Sequence, residues 1–363
     1  MENLLPMFII FSYSLVLNSM APLLKSFKEL FEISTFASSL LPFFSLTGTV
    51  LSNILVGLYI NKLGLKCSLI IGSILTIIGT ITVAFGSNYY ITLLGMFVFG
   101  LSTGFGFTGG TTLLSTSKKA NFGFFHGAYG LGGVIAPFVI ILVEKSTGNF
   151  KNVYFVYSAM FILFSIYAFF RTFPDIKTDT FKLTDIKFAF NDKSFAFFLT
   201  LLILYSSAEI GTITWAGTSM KQEFINSFMA YTLFWSLFTI GRFTVNLIAK
   251  FVGNLVRINT FTLAIIIILF ILTKHPVLFV LSGLFLGPIF PYVQSNGIKS
   301  INQKYIPIFN GATYAFTSLG GNIVSTTMGI VLDKSIFIAW LIPLTIVLII
   351  FILSRKCAQN LCN

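Results

Sequence analysis

The sequence predicts an all-α membrane protein: twelve transmembrane helices in two pseudo-symmetric six-helix bundles. Three observations lead there. Hydrophobic residues make up 56% of the 363 and charged residues only 9%, against about 25% charged in soluble domains, and the mean hydropathy is +0.92. The apolar residues gather into runs of the roughly 20 residues that a helix needs to cross a hydrocarbon core of about 30 Å. Short motifs also recur across one long polar stretch near the middle of the chain.

Taken in order, the runs place spans at 3–24, 34–60, 67–86, 89–116, 122–143, 153–170, 195–217, 227–249, 256–273, 276–298, 307–331 and 336–354. Runs such as Thr262 to Leu272 lack the alternation of barrel strands. The first run has no basic residues before it and no small-residue cleavage site, so it reads as a span rather than a signal peptide. The stretch from Asn61 to Lys66 is short and polar, a tight turn. Pro276 and Pro307 open their spans, where a first-turn proline removes no helical hydrogen bond. The polar stretch from Arg171 to Lys193 leaves six spans on either side. It divides the chain into an N-terminal bundle (1–172), a cytoplasmic linker (173–193) and a C-terminal bundle (194–363).

Orientation follows from Lys and Arg, which favour the cytoplasmic side. With the N-terminus inside, 15 basic residues fall in cytoplasmic segments and 7 on the other side, and Arg242, within the membrane, completes the 23. Both termini are therefore expected in the cytoplasm, at a plasma or inner membrane. The net charge of +12 is a consequence of that orientation; with no soluble domain to carry a basic cluster, nucleic acid is not an expected partner. Cys67, Cys357 and Cys362 all lie at cytoplasmic ends, so no disulfide is expected.

An internal repeat emerges across the midpoint. Leu131-Gly132-Gly133 recurs as Leu319-Gly320-Gly321, 188 positions on; Phe99-Gly100 and Leu286-Gly287 stand 187 apart, and Gly64 and Gly253 stand 189 apart. A near-constant offset predicts duplicated halves. At that offset Glu209 aligns with Ala21 and Arg242 with about Asn53. No Asp or Glu lies within spans one to six.

The segment Gly57-Leu-Tyr-Ile-Asn61-Lys62-Leu-Gly64-Leu-Lys66 resembles the loop signature Gly-x-x-x-Asp-x-x-Gly-x-Arg/Lys of the major facilitator superfamily, with Asn61 where the acid is usual. Further segments resemble its fucose, galactose and glucose proton-symporter branch: Phe125-His126-Gly127-Ala128-Tyr129-Gly130-Leu131-Gly132 with Pro137, Tyr205 through Glu209 to Trp215, Trp235 with Gly241-Arg242, and Gly287-Pro288-Ile289-Phe290-Pro291. The superfamily resemblance covers essentially the whole chain. It implies alternating access and makes Gly57, Asn61, Gly64 and Lys66 a cytoplasmic gating loop whose latch is weakened by the neutral Asn61. It also implies that Glu209 lies near substrate. The chain departs from proton-coupled members of the branch in lacking an N-terminal-half carboxylate.

The residues themselves point to span seven. An ionised side chain near the bilayer centre costs at least about 2.5–3.5 kcal/mol, so Glu209 should face a cavity or a partner. Ser206, Glu209, Thr212 and Trp215 follow one another at intervals of three, with Tyr205 one turn before Glu209, giving one polar and aromatic face. Such a face suits sugars and other small polar solutes. The alternative is an ion pair with Arg242, set roughly 10 Å away along the membrane normal at 1.5 Å per residue. His126 is a candidate gate or proton relay, or else a helix-end histidine bonded to a carbonyl. Gln294 and Asn296 follow the helix-breaking prolines Pro288 and Pro291, where freed carbonyls would face a cavity. Asn18 and Asn322 are further amides within apolar runs. With Tyr129 of the span-five motif, these complete the candidate substrate ligands, while Glu209, Arg242 and His126 are the candidates for coupling.

Two histidines, no metal-ligand cluster, no nucleophile paired with a base and no phosphate loop leave nothing for an enzyme or an ATP-driven pump. The expected function is a secondary active transporter of a small polar solute, a monosaccharide first among the candidates, carried by a monomer whose only other partner is the lipid bilayer. No cofactor is expected; H+ is the leading coupling ion and Na+ the second. The alternatives are a uniporter or exporter of another small molecule, or a non-transporting sensor of the same fold.

Overall fold

A computed structural model describes residues 4–115, 122–174, 189–223, 225–252, 254–301 and 306–355. Among these no strand occurs, and eleven helices are long and apolar enough to cross a membrane. The helix Ser227–Phe251, of 25 residues, takes the eighth place. The chain forms two compact units, Met1–Phe181 and Lys182–Asn363, which divide within the stretch read as a linker.

In the first unit, span one runs Leu4–Leu30, well beyond its expected end. The helix continues because Phe27, beyond the apolar run, is buried against Phe31, Phe150 and Tyr154, while Lys25 and Glu29 lie 3.8 Å apart on its exposed side. Spans two and three are two helices within Thr35–Phe85 that meet at Gly64, where φ 75 and ψ 160 leave the helical region. That left-handed conformation, and not crowding, calls for glycine, since a β-carbon there would meet nothing within 4 Å. The expected tight turn is thus a single-residue break. Spans four, five and six are Tyr89–Ser115, Phe122–Thr147 and Val153–Phe170.

The second unit holds span seven, Lys193–Ser219, span nine, Leu255–Thr273, span eleven, Ile306–Leu332, and span twelve, Ile336–Leu353, with span eight between the first two. Polar residues just outside the apolar runs start these helices: Asp192 accepts from the amides of Ser194 and Phe195, Asn226 from Met229, Asn254 from Arg257 and Ser335 from Ile338. Each supplies an acceptor to helix-start amides that lack an internal one. Span ten is two helices, Pro276–Leu286 and Ile289–Ser300. The break falls at Gly287-Pro288 alone; Pro291 sits in the first turn of the second helix, where its missing N–H is not needed.

Close approaches show how the helices pair, and they pair alike in both units. A β-carbon on Gly132 would meet Ser14 Oγ at 2.5 Å and one on Gly320 would meet Ser207 Oγ at 2.5 Å, so span five lies on span one and span eleven on span seven. Likewise Gly48 abuts the carbonyl of Phe97, and Gly241 that of Leu284, bringing span two against four and span eight against ten. Thr80 and Ser158 share a 2.8 Å hydrogen bond between spans three and six; Phe270 packs on Trp340 at 4.4 Å between nine and twelve.

These equivalences correct the expected alignment. Gly132 and Gly320 keep the offset of 188, but Gly48 and Gly241, like Ser14 and Ser207, stand 193 apart. The first two spans of each unit and the fourth and fifth therefore follow different offsets, because the connections between them differ in length. On the 193 offset Tyr205, Glu209 and Arg242 correspond to Ser12, Val16 and Thr49, not to residues near Ala21 and Asn53.

Leu142, Leu163, Leu272 and Phe85 are among many large apolar side chains left exposed. In water such a surface would aggregate, whereas lipid accepts it, with the backbone satisfied inside each helix.

Candidate functional site

In the second unit the helix pairings bring three polar side chains together at membrane depth. Tyr205 and Glu209 are one turn apart on span seven, and Arg242 comes from span eight; all three are buried. The Tyr205 hydroxyl lies within hydrogen-bonding reach of both the Glu209 carboxyl and the Arg242 guanidinium. The guanidinium also stacks over the Phe238 ring at 4.3 Å, a contact that suits a weakly hydrated planar cation.

From the same hydroxyl a 3.0 Å hydrogen bond runs to the carbonyl oxygen of Leu286, the last residue before the break in span ten. The Tyr205 ring lies 6.0 Å from that of Phe290, just past the break. One side chain of span seven thus touches an acid, a cation and a helix break.

The other C-terminal candidates are all buried, with different attachments. Ser206 and Thr212 flank Glu209 on span seven, and Gln294 and Asn296 lie on the helix after the break. Asn322 accepts a long, 3.5 Å hydrogen bond from Thr326. Trp215 is fully buried and its indole N–H donates to the Ser325 carbonyl at 2.7 Å, anchoring span seven to span eleven. Trp235 packs on Phe234 and Phe238.

The first unit answers this charged group with neutral ones. Asn18 donates to Ser14 Oγ at 2.7 Å, and Ser14 donates in turn to the Tyr129 carbonyl, joining spans one and five. Tyr129 itself is half-buried beside Phe107. Thr103 donates to Thr49 at 2.7 Å and Thr108 to Asn53 at 3.1 Å. Tyr13 inserts its hydroxyl between spans three and four, beside Thr76 and Ser102. His126 is half-buried, its ring edge-on to Phe125. In the loop, Lys66 reaches over the Phe169 ring at 5.4 Å; the surroundings of Gly57 and the side chain of Asn61 lie outside what the structure describes.

Sequence reasoning found Glu209 and Arg242 because charge within an apolar run is visible at once. It missed Tyr13, Thr49, Asn53 and Thr103, whose signal was weaker: hydroxyls and an amide at helical spacing, common in membrane helices as internal hydrogen-bond formers.

Residues 6–325 match the model of the Major Facilitator Superfamily, and the chain belongs to that family. Two crystal structures share the fold over 98% of this chain and 99% of their own. One is a single-substitution variant of the Escherichia coli fucose:proton symporter FucP, at a TM-score of 0.70 and 18% identity; the other is FucP in the outward conformation, at 0.66 and 19%. A "Protein TsgA homolog" of Buchnera aphidicola is 24% identical over 220 residues, 57% of this chain and 55% of that protein. The match thus spans about half the length of that curated relative. Family and fold are those of a membrane transporter and not of an enzyme.

Proposed function

We propose that this member of the superfamily is a secondary active transporter that carries a small polar solute, with a monosaccharide first among the candidates, by alternating access, and that it couples uptake to protons through Glu209. The observation that carries the reading is the buried acid beside a buried cation and a phenol. A carboxyl held at membrane depth is a functional group by default, because its ionised form is expensive there unless it is paired or watered. Pairing with Arg242 and Tyr205 supplies a partner for the ionised form. Proton binding or release is then a small change between two supported states.

A sugar is favoured by the chemistry around it: buried hydroxyls, amides and aromatic rings in one unit, with Gln294 and Asn296 close in sequence to a helix break. The structural neighbour FucP is described as a fucose:proton symporter, which supports both the solute class and the ion. The 15-to-7 basic asymmetry supports a cytoplasmic position for both termini. The test is uptake into proteoliposomes with a panel of labelled sugars, amino acids and nucleosides, at imposed proton and sodium gradients. Saturable sugar uptake driven by the proton gradient supports the reading. Uptake driven by sodium alone, or only downhill, replaces the coupling, and no uptake of any solute leaves a sensor of the same fold.

A further inference from the structure

We propose that Tyr205 is a positioning residue that ties the protonation state of Glu209 to the break in span ten. The inference rests on the reading of Glu209 as the proton site and adds the means by which that site acts on the backbone.

The break leaves carbonyls without helical donors. Pro288 has no N–H to offer Leu284, and Leu286 ends its helix. The Tyr205 hydroxyl donates to the Leu286 carbonyl at 3.0 Å and so fastens span seven to the end of the first segment of span ten. A phenol has a single proton to donate.

Glu209, one turn along the same helix face, bears on that proton in opposite ways in its two states. Neutral, the carboxyl is itself a donor and can give its proton to the Tyr205 oxygen, leaving the phenol proton on Leu286. Ionised, it is only an acceptor and competes for the phenol proton. Arg242 has no acceptor to offer and donates in both states. Protonation of Glu209 therefore holds the break to span seven, and deprotonation draws the hydroxyl away from it.

The surroundings of the acid are simple enough for this to work. Among the described residues, the charged and titratable groups acting on Glu209 are Arg242 from span eight and Tyr205 from its own helix. Two residues on, around the helix from the acid, Gly211 meets only the apolar Met328 and Val324 of span eleven. Phe238 closes the arrangement from behind: its ring carries the Arg242 guanidinium, and its backbone is what Gly287 abuts. A shift at the break is thus also a shift against the residue that seats the cation.

The test is hydrogen exchange of the 283–292 segment, followed by mass spectrometry on the full chain in nanodiscs and corrected for intrinsic exchange across an acid-to-alkaline series. The native chain should show about fivefold faster exchange once Glu209 is ionised, the worth of one ordinary hydrogen bond. Tyr205→Phe should exchange at the faster rate at every pH, and Glu209→Gln should show a single rate at every pH. If Tyr205→Phe keeps the native pH dependence, the relay is wrong. If Glu209→Gln keeps it, Glu209 is not the group that titrates and the coupling reading falls with the relay. Should Tyr205→Phe fail to fold, fluorotyrosine incorporated at position 205 gives a second readout. Its fluorine resonance should move with pH in the native chain and stand still in Glu209→Gln; a resonance that stays still in the native chain overturns the relay.

Discussion

Replacing Glu209 with Gln should separate exchange from accumulation, and the structure sets how large the loss is. Glu209 is the one acid buried among the described residues, so coupling through it moves one proton per cycle. One charge crossing 100 mV releases about 2.3 kcal/mol, which sustains a solute ratio of roughly 50-fold at 25 °C. With potential alone imposed across proteoliposomes, the native protein should approach that ratio and Glu209→Gln should reach only one. Counterflow exchange should persist, because the amide keeps the size of the acid, can donate its N–H to the Tyr205 oxygen as the neutral acid does, and still accepts from Arg242. Removing one charge of a buried pair costs about 3–5 kcal/mol, and the retained acceptor should hold the loss to the lower end of that range. Size-exclusion profiles and yields run alongside transport keep misfolding apart from uncoupling. A well-folded variant that still concentrates solute would refute the role of Glu209. A native ratio far above 50-fold at the same potential and no pH gradient would refute the single-proton stoichiometry.

Three further outcomes are expected. Trp215→Phe should keep the ring's packing but lose its bond to the Ser325 carbonyl, lowering thermal stability by about 1–2 kcal/mol; an unchanged melting profile would mean that the bond contributes nothing. Gly132→Ala should reduce the yield of folded protein because its methyl runs into Ser14, and Ser14→Gly in the same chain should restore part of it; no rescue would place the damage elsewhere. A reporter fused after the last residue should be active only in the cytoplasm, as the basic asymmetry requires, and activity only outside would overturn the topology.

Much of the fold was legible because lipid imposes a simple grammar. Span lengths follow bilayer thickness, and the break in span ten was announced by Gly287-Pro288. Other features were hidden for physical reasons. Span one outruns its apolar stretch because Phe27 is held by Phe150 and Tyr154, tertiary contacts that hydropathy cannot see. The repeat offset was readable at the glycine motifs of spans four and five but not at spans one and two, where Ser14 and Ser207 carry no glycine pattern and Gly48 and Gly241 share no flanking motif. The charged pair at the site was visible, yet the link from Tyr205 to span ten was not. Its acceptor is a main-chain carbonyl 81 positions away, and every residue has one of those.

The corrected repeat gives the asymmetry of the chain a physical meaning. Where the second unit has Tyr205, Glu209 and Arg242, the first has Ser12, Val16 and Thr49. All three are buried, and Thr49 is bonded to Thr103. None of them carries charge. A hydroxyl pair such as Thr49 and Thr103 rearranges by rotating O–H groups, without moving charge through a low-dielectric interior. The second unit cannot move so cheaply, since its acid must be paired or protonated before its surroundings change. On the proposed function, the step that moves charge falls to the half that bears the titratable group, and the neutral half can add only hydrogen bonds to the solute. On that account a substitution at Asn18 should alter solute affinity without altering the proton dependence, while one at Glu209 should do the reverse.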